Sequence, residues 1–193
     1  MHRCNHVPQQ EIGSYPTGWK SDRIRLDGEL LNDILWWHQF MGIFTGKSLL
    51  MHEQPIHSVL TDASSQGAGC FFEGDWLYCN WAHDWPQAAR LHINCKETLA
   101  VVLAACRWAP LWENHVVYIT SDNKTTVSAL NKGSCRNKTV MCAVRLLFWL
   151  SALFNFKLKC VYTQTGPHLL ANCISRLDNK RYWWQLPEMI PID

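Results

Sequence analysis

Hydrophobic and polar positions change period several times along the chain, and each change marks an element. In residues 23–41 (RIRLDGELLNDILWWHQFM), Leu26, Leu30, Ile34, Trp37 and Met41 recur at helical spacing, with Leu31 and Leu35 alongside. This predicts one amphipathic helix whose aromatic-rich face packs against other apolar groups. From residue 56 the texture becomes that of strands. HSVLTDAS reads as a short strand ending in a polar turn. GAGCFFEGDWLYCNW reads as two strands joined at Glu73-Gly74-Asp75, where glycine can supply a positive φ. Asn94 stands where it would cap a helix KETLAVVLAACRW that stops before Pro110. VVYIT is a strand, Ser121-Asp122-Asn123 a turn, and KTTVSALNK a short helix closed by Gly133. Residues 137–154 make a long, mostly buried helix, KLKCVYT a further strand, and residues 167–176 a last short helix. The order is β-β-β-α-β-α-α-β-α. An antiparallel meander followed by crossovers predicts an α/β fold, a mixed five-stranded sheet with helices on both faces.

Composition narrows the class. The 193 residues are 48% hydrophobic, enough for one core, and the net charge of +2 forces no polyanionic partner. Nine cysteines, an odd number with no C-x-x-C pair, argue against a zinc module and against a disulfide-framed secreted domain. They suit a reducing, intracellular compartment, cytoplasmic or nuclear. The longest apolar run, residues 140–154, is interrupted by Arg145 and falls short of the ~20 residues a bilayer span needs, so no membrane partner is expected. Residues 1–22, with Pro8, Gly13, Pro16 and Gly18 among polar residues, read as a tail or tether. Residues 179–193 read as a Trp- and Pro-containing C-terminal tail.

Three acidic residues stand where chemistry would want them. Asp62 ends the first strand and Asp122 the fourth, which a crossover helix should make parallel to the first. Open α/β sheets place ligand sites at that carboxyl edge. Glu97 precedes Val101, Ala104 and Trp108 by four, seven and eleven residues, so it belongs to the helix face that packs on the sheet. A carboxylate there needs a cationic partner, and three converging carboxylates suit a hard divalent cation such as Mg²⁺. Bland roles compete with this reading: Asp62 as a turn residue, Asp122 as a helix cap, Glu97 as the capping-box partner of Asn94.

The ordered motifs decide between them. Thr61-Asp62-Ala63-Ser64, His92-Ile93-Asn94 with Glu97, Ser121-Asp122-Asn123, Asn131-Lys132-Gly133 and Ile174-Ser175-Arg176 resemble the ribonuclease H domain of retroelement reverse transcriptases, in particular the DIRS-like, tyrosine-recombinase group. The resemblance covers residues 23–178. It implies a ribonuclease H-like domain over residues 56–178, and a linker helix over residues 23–55 like the segment joining polymerase to ribonuclease H in that group. It also implies two-metal hydrolysis of the RNA strand of an RNA–DNA hybrid, with two Mg²⁺ or Mn²⁺ ions held by Asp62, Glu97 and Asp122. Helical Glu97 lies between the two Asp residues in sequence, as in ribonuclease H, whereas in integrase-type relatives it follows both. No polymerase motif occurs, so a polymerase domain of a parent polyprotein would be a partner.

The C-terminal motif departs from the family pattern. Aligned back from Ser175-Arg176, Tyr162 takes the place of its His, Gln164-Thr165 of its Pro-Gly, His168 of its Asn, and Asn172 of its Asp. Asn172 removes the fourth carboxylate and is expected to weaken the second metal position. The alternative to a weakened nuclease is a non-catalytic nucleic-acid- or protein-binding module from a decayed or co-opted element. By the same resemblance Lys124, Lys132, Arg136 and Lys138, with Arg145 beyond them, are expected to face the DNA strand's phosphates, with Asn123 and Asn131 as polar contacts. Trp81, Trp85 and Trp112 are expected in core or loop packing rather than stacked on bases.

Overall fold

A computed structural model describes residues 27–44, 46, 51–52, 54–164 and 169–176. The two tails, Leu26 and His168 lie outside these residues. The chain falls into two compact units, residues 1–39 and 40–193.

In the first unit the described residues are the start of helix α1 (Gly28–Ile43), where Trp36 and Trp37 meet edge to face at 4.9 Å. The stripe expected to pack is exposed: Leu30, Ile34, Leu35 and Trp37 here, and Met41 in the last turn. Helical periodicity reports which residues share a face and says nothing about what covers it. The buried residue of α1 is instead Phe40, in the second unit, which meets the rings of Phe148 and Trp149 at 5.4 and 5.3 Å.

The second unit is built on strands β1 (Ile56–Ala63), β2 (Gly67–Phe72), β3 (Asp75–Asn80), β4 (Val116–Ser121) and β5 (Lys157–Tyr162). They form one sheet in the order β3-β2-β1-β4-β5. β1, β2 and β3 are antiparallel neighbours, and β4 and β5 run parallel to β1. Between and after the strands come helices α2 (Pro86–Ala89), α3 (Ile93–Trp108), α4 (Lys124–Lys132), α5 (Lys138–Leu153) and α6 (Leu169–Ser175). This mixed α/β arrangement is as expected and is consistent with a ribonuclease H-like fold. α2 and a 3-10 turn at Ala109–Trp112 were not expected. Both are four residues long, too short to leave a helical period.

Local chemistry explains the boundaries. Glu73 and Gly74 both take positive φ (49° and 87°), the tight hairpin geometry that lets Phe72 pair with Asp75. Asp75 then accepts from both Arg107 (2.7 and 2.9 Å) and Trp108 Nε1 (2.8 Å), fastening that turn to the end of α3. α3 starts earlier than expected. His92, not Asn94, is its N-cap, its ring nitrogen accepting from the Asn94 N–H. Asn123 caps α4 and Asn137 caps α5, each through its side-chain oxygen.

Neighbouring residues of a strand point to opposite faces, so β2 identifies the layers. The Cys70 thiol donates to the Ala100 carbonyl of α3, while a side chain on Gly69 would collide with the backbone of Ala171, Ile174 and Ser175 in α6. α3 and α6 therefore cover opposite faces. The main core lies under α3: Val59, Cys70, Val101, Ala104, Trp108, Trp112, Val117, Ile119 and Phe156 are buried there. Trp81 and Trp112 are buried as expected, and Trp85 packs half-buried against this cluster.

Gly69 is the point where α6 seats on the sheet. Gly69→Ala should lower stability by about 1–3 kcal/mol, because the obstructing atoms are backbone. Urea denaturation measures it. An unchanged midpoint would mean that α6 does not seat there.

Candidate metal centre

Three elements bring the carboxylates together. Asp62 lies one residue before the end of β1 and Asp122 directly follows β4, so the parallel pairing of the two strands places both at one sheet edge. Glu97 comes from α3, two residues further into the helix than expected because the N-cap is His92 rather than Asn94. One oxygen from each carboxylate lies within 4.8 Å of the others. Asp62 and Glu97 are each 4% exposed and Asp122 is half-buried. The bland roles fall away. Asn123 rather than Asp122 caps α4, and Glu97 lies too deep in α3 to close a capping box.

The electrostatics are unfavourable for the bare protein. Burial pushes the Glu97 carboxyl up to about 9, and the charges of Asp62 and Asp122 push the same way. The Ala63 backbone N–H opposes them, and Glu97 Oε2 is buried with no hydrogen-bond partner among the described residues. Asp62 is raised to about 6, mainly by burial. The Ser175 hydroxyl, donating to Asp62 Oδ2 at 2.5 Å, and the Arg176 guanidinium draw it back down. An unpaired buried acceptor among three carboxyl groups is the donor set a divalent cation satisfies, so Asp62, Glu97 and Asp122 could hold a metal ion.

These carboxylates line a cavity of about 380 Å³, together with Ala63, Ser64, Ser65, Ile93, Asn123, Asn172 and Arg176. The fold thus brings Asn172 to the site from α6. Two serines hold that helix in place. Ser175 bridges Asp62 and the Asn172 carbonyl (3.0 Å), and Ser64 donates to the Ser175 carbonyl at 2.7 Å. Ser64 also accepts from the N–H groups of Gln66 and Gly67, closing the β1–β2 turn. The sequence contained both serines inside its motifs without any sign of their task. Their partners are 113 and 111 residues away.

A search with models of known protein families found no match, and neither did a search of curated proteins.

The residues expected to face nucleic acid separate into two kinds. Two of them serve the fold. Asn131 spends its amide on the β5 edge, donating to the Cys160 carbonyl (2.7 Å) and accepting from its N–H (2.9 Å). Asn123 caps α4 and donates to Asn94 Oδ1 at 2.9 Å. Lys124 and Lys132 line an open depression of about 350 Å³ with Thr125, Ser128 and Ser134, and the Lys124 ammonium lies 5.1 Å from the Tyr162 ring centre. Arg136 and Lys138 are exposed and Arg145 is half-buried.

Because both raised carboxyls keep protons that the unfolded chain has released, the metal-free protein should lose stability as pH rises. The loss begins above the ordinary carboxyl values and runs through about 6 for Asp62 and about 9 for Glu97. Melting temperatures in chelator across this range should fall for the parent and flatten for Glu97→Gln. A Glu97→Gln protein less stable than the parent near neutral pH would instead give Glu97 a structural role. Mg²⁺ or Mn²⁺ should raise the parent's melting temperature, and more so toward pH 9, since binding must displace the Glu97 proton. A metal response independent of pH would rule Glu97 out as a ligand.

Proposed function

We propose that this protein is a ribonuclease H-type nuclease that hydrolyses the RNA strand of RNA–DNA hybrids with divalent metal, weakened at its fourth position by Asn172. The observation that carries the reading is Glu97: a carboxylate 4% exposed, with one oxygen unpartnered, within reach of Asp62 and Asp122 at a sheet edge. Burying such a group without a cation is costly, and the backbone N–H of Ala63 satisfies only one of its oxygens among the described residues. The substrate class rests on the resemblance of the ordered motifs to retroelement ribonuclease H domains.

In this reading Asp62, Glu97 and Asp122 would hold Mg²⁺ or Mn²⁺, which would supply Lewis acidity and lower the pKa of water for attack on phosphorus. Ser175 fixes the Asp62 carboxylate through its 2.5 Å hydrogen bond, so that one oxygen is oriented before any ligand arrives. In the reaction a water oxygen bonds to phosphorus while the P–O3′ bond breaks. The electron pair stays on O3′, which leaves as a hydroxyl after taking a proton, and the new fragment carries a 5′-phosphate. Lys124 and Lys132, which line an open depression on α4, would meet the phosphates of the hybrid. Recognition by shape and 2′-hydroxyls makes cleavage weakly dependent on sequence.

The test is cleavage of a labelled hybrid duplex in Mg²⁺ and in Mn²⁺, beside an Asp62→Asn control. Metal-dependent release of 5′-phosphate fragments from the RNA strand alone, abolished in the control, is expected. Cleavage that survives Asp62→Asn would place the chemistry elsewhere. Salt-sensitive hybrid binding without any cleavage would favour the binding-module reading.

A further inference from the structure

The cavity holds a charge balance that the family pattern does not have. Three carboxylates line it, and its fourth position carries the neutral amide of Asn172. On the same wall, one residue beyond α6, stands Arg176, the cation that lines this cavity among the described residues. Lys96, beside Glu97 in sequence, is not part of the lining. Its ammonium turns to the Ser65 carbonyl (3.3 Å) and lies 5.9 Å from the Trp81 ring centre. The Arg176 guanidinium has no hydrogen bond or ion pair among the described residues and acts on Asp62 through space. α6, which ends at the residue before it, is seated through Ser175 on Asp62 and Ser64, and on Gly69.

We propose that Arg176 takes the place of the second metal ion, so that the site binds one divalent cation and Arg176, beside Asn172, receives the phosphate. The inference rests on the nuclease reading. Three carboxylates against one guanidinium leave two negative charges, the charge of a single divalent ion. A second ion entering that balance would meet Arg176 and the first ion with no added anion to hold it. A guanidinium suits the remaining task. It is always charged, it presents a planar fork of donors matched to two phosphate oxygens, and it needs no ligand shell. The bond changes are those of the hydrolysis above: Arg176 neutralises charge on the phosphate as O3′ departs and exchanges no proton.

The test counts ions and follows cleavage in the full chain. Mn²⁺ binding, measured by calorimetry and by the loss of free-ion paramagnetic resonance signal, should give one ion for the parent. The double variant Asn172→Asp, Arg176→Gln, which adds an anion and removes the cation, should take two. With hybrid substrate, Arg176→Gln should lower kcat by on the order of a hundredfold, with a smaller change in KM. Arg176→Lys should recover part of that loss, because charge returns without the fork. Unchanged melting temperatures in chelator establish that the exposed substitution leaves the fold intact. Two ions in the parent, one ion in the double variant, or undiminished cleavage by Arg176→Gln would each overturn the inference while leaving the nuclease reading standing. One ion bound and no cleavage by any form would refute the nuclease reading and leave the ion count intact.

Discussion

Three carboxyl groups confined at one sheet edge are the constraint around which the second unit is arranged. Two of them are almost fully buried, and burial and their neighbours oppose their ionisation where water screens poorly. A fold does not collect such groups by hydrophobic packing alone. Parallel pairing of β1 with β4 brings two of them to one edge, and a helix lying across the sheet presents the third. The buried aliphatic and aromatic residues beneath α3 supply the stability that offsets burying these polar groups. The cost is local, and a cation is the natural means of removing it.

α6 is the second half of the same arrangement. It is seven residues long, buries Ala171, Ile174 and Ser175, and is fixed in part by polar contacts. Ser175 reaches Asp62, Ser64 reaches Ser175, and Gly69 leaves room for the helix backbone. The departure at Asn172 therefore has a limited meaning. It removes a charge from the cavity wall and leaves every contact that seats the helix. Packing and charge are separable in this motif because they belong to different faces of α6. Ala171 and Ile174 are buried, whereas Asn172 and Arg176 line the cavity.

Polar residues around the site divide the labour less visibly than the carboxylates. Asn123, Asn131 and Asn137 all sit in the stretch that a motif reading assigns to ligand contact. Each satisfies backbone groups that would otherwise be left without partners, two at helix starts and one at β5. Lysines carry no acceptor and cannot serve as such caps. Lys124 and Lys132 thus remain exposed on α4, available to an anionic ligand.

Much of this was legible in the sequence, because much of it is periodic or local. Alternation in residues 56–80 specifies the meander, a Glu-Gly turn its register, and the spacing of Glu97 from Val101, Ala104 and Trp108 the face on which that carboxylate lies. The order of Asp62, Glu97 and Asp122 along those elements then implies their convergence. What the sequence could not contain was any relation set by distance in space. That Asn131 braces β5, that Ser175 grips Asp62 across 113 residues and that Arg176 shares a cavity with three carboxylates all depend on how elements pack. The face of α1 makes the same point from the other side. Its helical period was plain, yet exposure of Leu30, Ile34 and Trp37 was decided by what lies against a surface. A hydrophobic period states which residues belong together; only tertiary packing states what they meet.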